Sequence, residues 1–194
     1  YSERQPGSSI KPIGVYGPAL EKGIINASTI YDNSYTVFGT NYDPPNASRA
    51  KSGLCTIRDA LEVSSNIVAC KVMTEVGPDN AIDYMRQLGV TSLVKASESP
   101  EKNDSNLATA LGGVTYGIST LEMAGAYATI ANNGVYIEPT FYTKVEDSAG
   151  NIVLECSQET RQVMSVAQAY VMQNLLKQPV EGGSGTARAL RMSN

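Results

Sequence analysis

Apolar positions near the start of the chain recur at helical spacing. Ile13, Tyr16 and Leu20 would share one face, but Gly14, Gly17 and Pro18 sit among them. An interior proline costs a helix about 3 kcal/mol, so a broken or kinked helix is expected. From Gly23 to Gly53 the chain is rich in turn formers, with Asn33-Ser34 and Asp43-Pro44-Pro45-Asn46. It reads as a long loop region with short strands, and such loops often carry function. Clear helical signals follow. Thr56-x-x-Asp59 has capping-box form, with Ile57, Ala60 and Leu61 on one face. Ser64-Ser65-Asn66 interrupts the run. Ala69, Cys70, Met73 and Val76 then form a second apolar face, which Gly77 closes. Pro78 opens a third helix carrying Ile82, Met85 and Leu88. Residues 95–105 read as a solvated loop. Ser119-x-x-Glu122 caps a helix with Leu121, Ala124, Tyr127 and Ala128 predicted inward, ending at Asn132-Asn133-Gly134.

The period then drops to two. Phe141–Glu146 and Ile152–Glu155 flank Asp147-Ser148-Ala149-Gly150, which predicts a β-hairpin. Ser165-x-x-Gln168 opens the last helix, with Val166, Ala169, Met172 and Leu176 predicted on one face. The result is a helix-rich chain with one hairpin and no internal repeat.

Composition narrows the chemistry. The chain has 194 residues, 42% of them hydrophobic, enough for one domain with a sizeable core. Its formal net charge is −4 without a basic run, so nucleic acid is not an expected partner. Histidine is absent. That excludes Ser-His-Asp and Cys-His mechanisms within this chain, and His-ligated zinc with them. Catalysis must run on Ser, Lys, Tyr, Cys or carboxylates, and no cofactor or metal is expected. Cys55, Cys70 and Cys156 form no CxxC pattern and read as buried free thiols. Glu98, Glu101 and Asp104 read as a solvated face rather than a metal site. Gly182-Gly183-Ser184-Gly185 lacks the rest of a phosphate loop and reads as a flexible connection. Asn26-Ala27-Ser28 and Asn46-Ala47-Ser48 fit the glycosylation acceptor pattern. No stretch approaches a membrane span.

Two short patterns carry chemistry. In Ser8-Ser9-Ile10-Lys11, positions i and i+3 share a helical face, which brings the Lys11 amine within reach of the Ser8 hydroxyl. A serine needs a base to become a nucleophile, and a lysine serves when desolvation holds its amine neutral. On spacing alone the tetrad is equally a serine cap followed by a surface lysine, and Pro12 disfavours helical geometry at Lys11. Ser64-x-Asn66 sits at a break between helices. Its hydroxyl can pass a proton and its carboxamide can grip a peptide through both donor and acceptor. The same residues would also serve as an ordinary helix cap.

In their context these patterns resemble a known family. Ser-x-x-Lys with a Ser-x-Asn motif is the signature of serine β-lactamases and penicillin-binding proteins. RQPGSSIKP, TIRDALEVSSNIVACKVMTEVG and ATALGGVTYGISTLEMAGAYATIANNGVYIEP resemble, in order, segments of the transpeptidase domain of class A (bifunctional) penicillin-binding proteins. The resemblance spans nearly the whole chain. It implies an α+β, helix-rich fold over residues 1–194, read as a partial penicillin-binding-protein/serine β-lactamase-like transpeptidase fold lacking most of its central antiparallel sheet. It also implies Ser8 as acyl-forming nucleophile, Lys11 as its base, Ser64 as proton relay to the leaving amine, and Asn66 as the residue that binds the substrate amide.

The implied function is a peptidoglycan D,D-transpeptidase. It would form an acyl-enzyme with D-Ala-D-Ala stem peptides and bind β-lactam antibiotics on the extracytoplasmic face of the bacterial membrane, anchored through the parent protein. The alternatives are a β-lactam-sensing or pseudoenzyme domain and a serine β-lactamase. One departure bears on activity: the family's Lys-Thr-Gly motif is absent, although Gly183-Ser184-Gly185-Thr186-Ala187 resembles the loop before it. An oxyanion donor from that strand is worth about 2.7–4 kcal/mol, so the isolated chain is expected to be a poor enzyme or none. Its uncovered sheet-facing side is expected to make it self-associate or stay paired with the rest of its domain.

Overall fold

The computed structural model describes residues 2–34, 42, 44–46 and 53–192. Much of the turn-rich region between Gly23 and Gly53, including Asp43, Ala47 and Ser48, lies outside the described residues.

Strand β1 (Glu3–Arg4) leads into a helical segment with three successive pitches: a 3-10 turn over Gly7–Ile10, a π-helix over Lys11–Tyr16, and α1 (Gly17–Glu21). The expected kink is therefore a pair of pitch changes. Pro12 and Pro18 each sit within the first two positions of a new pitch, where a missing N–H costs least. Lys11 is consequently helical, with φ −53° and ψ −46°, against the expectation from Pro12.

β2 (Ile30–Asp32) pairs with β3 (Leu54–Thr56), which runs straight into α2 (Ile57–Glu62). The Thr56/Asp59 capping box forms as predicted. α3 (Asn66–Val76) is the hub of the core. The π-helix, α1, α4 (Pro78–Gln87) and the 3-10 turn over Leu107–Leu111 all pack on it. Its Ala69, Cys70, Met73 and Val76 are buried, as are Ile82, Met85 and Leu88 on and after α4.

β4 (Ile118–Ser119) pairs with β1, and α5 (Thr120–Ala131) follows through a complete Ser119/Glu122 capping box. The buried face of α5 differs from the one expected. Gly125, Ala126, Thr129 and Ile130 are buried, Leu121 and Tyr127 are half-buried, and Ala124 and Ala128 are exposed. Small residues let Tyr136 and Pro139 approach at Gly125, and the Thr129 hydroxyl satisfies itself on the Gly125 carbonyl at 3.0 Å. Large apolar residues were the wrong guide there.

β5 (Val135–Ile137) pairs with a distant strand, while β6 (Lys144–Glu146) and β7 (Ile152–Glu155) form the expected hairpin, with every strand residue exposed. β8 (Thr160–Gln162) completes the pair with β5, and α6 (Val166–Leu176), α7 (Gln178–Glu181) and a 3-10 turn over Arg188–Leu190 follow. Val166 is exposed; Ala169, Met172 and Leu175 are the buried positions of α6. Among the described residues the strands make four separate antiparallel pairs, and three of these pairs are long-range ones that local patterning did not indicate.

Three further expectations need correction. Asp104 is buried, not solvated: its carboxylate accepts from the Val94 and Thr115 amides and the Thr115 hydroxyl, which staples the 95–105 loop. Only Cys70 is a buried thiol, since Cys55 in the middle of β3 and Cys156 just after β7 are partly exposed. The Gly182–Gly185 connection is docked. Ser184 N–H donates to Glu62 Oε1 at 2.6 Å and Thr186 N–H to the Glu62 carbonyl at 3.2 Å.

Candidate active site

The Ser8 turn is held from below by the segment around residues 112–127. Gln5 exchanges two hydrogen bonds with the Val114 backbone, at 2.6 and 2.8 Å. Gly112, at φ +80°, packs so closely that a Cβ there would fall inside the Gly7 backbone. Tyr127 donates its hydroxyl to the Ser9 carbonyl at 2.8 Å; burial pushes that phenol up to about 12, so it stays a donor. Because Gly7–Ile10 is a 3-10 turn, Ser8 and Lys11 lie one above the other, with Lys11 N–H bonded to the Ser8 carbonyl.

Lys11 is only 2% exposed. Its Nζ donates to the Ser64 carbonyl and Asn66 Oδ1, each at 2.7 Å, and to Ser64 Oγ at 3.0 Å. Burial lowers its pKa from 10.5 to about 8, with Cys70 opposing that fall. Burial also pushes the Cys70 thiol up to about 11, so at neutral pH it carries no charge to hold the ammonium.

How α2 ends explains why Ser64 and Asn66 face this amine. Ser64 N–H bonds to the Leu61 carbonyl and Ser65 N–H to the Ala60 carbonyl, the pattern of a Schellman ending. Ser64 occupies the left-handed position at φ +54°, a place usually taken by glycine. Ser65, the middle residue of the motif, does the capping: its Oγ accepts from the Val68 amide at 3.1 Å. The flanking Ser64 and Asn66 side chains are thereby left for Lys11.

Ser8, Lys11, Ser64, Tyr127, Leu176 and Thr186 line one cleft of about 230 Å³. Ser8 is exposed there, and among the described residues its hydroxyl has no hydrogen-bond partner. Three of the four sequence-derived candidates thus touch directly, and the fourth opens on the same cleft. Tyr127 and Thr186 joined the site without any signal in local spacing. No group of three or more His, Cys, Asp or Glu side chains suited to a metal occurs among the described residues.

Left-handed backbone costs an L-residue about 1–2 kcal/mol, which leads to a test. Ser64→Gly should be more stable than Ser64→Ala by about 1 kcal/mol, a difference of a few degrees in thermal midpoint. Both variants lose the hydroxyl beside Lys11. Equal midpoints would show that the position is unstrained.

Comparison with known proteins places the fold first among penicillin-binding transpeptidase domains. The D,D-transpeptidase domain of a peptidoglycan glycosyltransferase from Eggerthella lenta superposes with a TM-score of 0.78 at 24% identity, covering 100% of this chain and 52% of that one. Penicillin-binding protein A of M. tuberculosis, as an imipenem acyl-enzyme complex, gives 0.74 at 20% identity, covering 91% and 44%. The family profile described as "Penicillin binding protein transpeptidase domain" matches residues 2–194. The chain belongs to that family.

Among curated relatives, penicillin-binding protein 1A of Clostridium novyi (strain NT) is 39% identical over 189 residues, which is 93% of this chain and 21% of that protein. Penicillin-binding protein 1F of Bacillus subtilis (strain 168) is 32% identical over 184 residues, 95% and 24%. The chain therefore spans about a quarter or less of these relatives' length. No helix among the described residues is long and apolar enough to cross a membrane.

Proposed function

We propose that this chain carries the acyl-enzyme-forming centre of a peptidoglycan D,D-transpeptidase, with Ser8 as nucleophile. The observation that carries the reading is the desolvated Lys11 amine, held by Ser64 and Asn66 at the wall of the cleft on which Ser8 opens. When neutral, this amine keeps two N–H donors for the Ser64 carbonyl and Asn66 Oδ1, and one lone pair is left for a hydroxyl. Ser8 Oγ attacks the carbonyl between the two D-Ala residues of a stem peptide, and its proton passes to Lys11. The Ser64 hydroxyl relays a proton to the departing D-Ala nitrogen as the C–N bond breaks. The acyl group, now an ester on Ser8, is transferred to an amine of a neighbouring strand, which frees the serine. Asn66 binds the substrate amide, and the Ser8 N–H is one oxyanion donor.

β-Lactams would be opened by the same serine and remain on it as esters. Such substrates lie outside the cytoplasmic membrane, so the site is assigned to the extracytoplasmic side, anchored through the parent protein.

The test is covalent mapping. After incubation of the parent protein with a penicillin, intact mass should rise by the whole mass of the β-lactam, and the adduct should map to the peptide containing Ser8. An adduct on any other residue, or none, overturns the assignment. Cross-linking of added stem peptides with an acceptor amine separates a transpeptidase from a domain that only senses the drug.

A further inference from the structure

We propose that Asn46 is a positioning residue for the Ser64–Asn66 arm of this site, a role that rests on the acyl-transfer reading above. The Asn46 side chain makes four of the contacts that fix this arm. Its Oδ1 accepts from the Asn66 amide at 2.8 Å and the Ile67 amide at 3.1 Å, and shares the Ser65 hydroxyl, 3.2 Å away, with Asn33. Its Nδ2 donates to Asn33 Oδ1 at 2.7 Å. That same Asn33 oxygen receives the Ser65 hydroxyl at 2.6 Å, and the preceding carbonyl, of Pro45, accepts from Asn66 Nδ2 at 2.8 Å.

The consequence is directional. A carboxamide has one acceptor oxygen and one donor nitrogen. With one Nδ2 hydrogen of Asn66 on the Pro45 carbonyl and its backbone N–H on Asn46, its Oδ1 is turned toward Lys11, where the 2.7 Å contact is found. The second Nδ2 hydrogen stays open to substrate. The oxygen that orients the lysine amine is thus set by residues about twenty positions upstream. Asn33 and Ser65 are themselves buried, at 2% and 0% exposure, so water does not substitute for this network readily. Asn46 touches neither Ser8 nor the Lys11 amine, and it acts through Asn66.

The test uses the protein that carries this chain and reads the saturating rate of acylation by a fluorescent penicillin, counted per folded molecule. Asn46→Ala should lower that rate at least about tenfold, since displacements near 1 Å cost catalysis on that scale or more. Asn46→Asp keeps an oxygen for the Asn66 and Ile67 amides but cannot donate to Asn33, so it should recover part of the loss. Amide exchange provides a reading independent of activity: protection of Asn66 and Ile67 should fall about tenfold in Asn46→Ala. A control such as Asn151→Ala, which removes an exposed side-chain contact to Asp147 in the β6–β7 turn, should leave both readings as in the wild type.

A rate within twofold of wild type for Asn46→Ala overturns the role, as does a loss that Asn46→Asp fails to improve. If Asn46→Ala does not fold, Asn46→Asp alone decides: it must keep the exchange protection of Asn66 and Ile67 and lose less than about tenfold in rate. Wild-type protein that takes no label overturns the acyl-transfer reading itself, an outcome distinct from normal wild-type labelling with an unaffected variant.

Discussion

Lys11→Met is expected to lower penicillin acylation by about 10²–10⁴-fold while the protein stays folded. The methionine can keep the apolar packing of the buried stem, but it offers no lone pair to receive the Ser8 proton. Lys11→Arg should fail almost as badly, because a guanidinium does not give up its proton in a protein. The pair of variants separates base chemistry from charge. If a fixed positive charge were what mattered, arginine would retain much of the rate, and acylation at half the wild-type level in Lys11→Arg would exclude Lys11 as the base. Circular dichroism on both variants confirms that the helical content survives.

The second large effect is in pH. Burial brings the Lys11 pKa to about 8. The base form is then about 1% of the population at pH 6 and about 90% at pH 9. Acylation should rise close to tenfold per pH unit below 7 and level off above about 8.5, a span of almost a hundredfold. The sign follows from the role: an amine that must accept a proton works better as pH rises, whereas an ammonium acting by charge alone would lose effect across the same range. A flat profile between pH 6 and 8 would contradict the assignment. The titrating amine acts in the chemical step, so the dependence should appear chiefly in the saturating rate.

Parts of this architecture were legible because they are local. The capping boxes at Thr56/Asp59, Ser119/Glu122 and Ser165/Gln168 formed as read, since each closes within one turn. So did the hairpin around Asp147–Gly150. The site was legible only by resemblance: Ser8–Lys11 and Ser64–Asn66 are each ordinary at their spacing, and the contact between them spans more than fifty residues. Other features depend on tertiary neighbours and leave no local trace. Ser65 takes the cap because Ser64 adopts the left-handed position at the end of α2. Asn46 earns its place through partners at 33, 66 and 67. Pro12 argued against a helical Lys11, because the rule assumes a continuous pitch and here the pitch changes at that residue.

The Glu62 contacts carry a mechanical consequence. Glu62 is the last residue of α2, two before Ser64, and it grips the 182–186 stretch through both its carboxylate and its carbonyl. Thr186, on that stretch, forms the wall of the cleft near Ser8 and Ser64. The two walls are therefore joined by a lever with a very short arm, hinged at the end of one helix. A pull on the glycine-rich stretch would be felt first at Ser64, the single residue of that arm already bent into left-handed backbone. Loosening the grip, as in Glu62→Ala, which removes the side-chain acceptor and leaves only the Glu62 carbonyl on Thr186, would widen the spread of cleft openings without altering any group proposed to meet substrate.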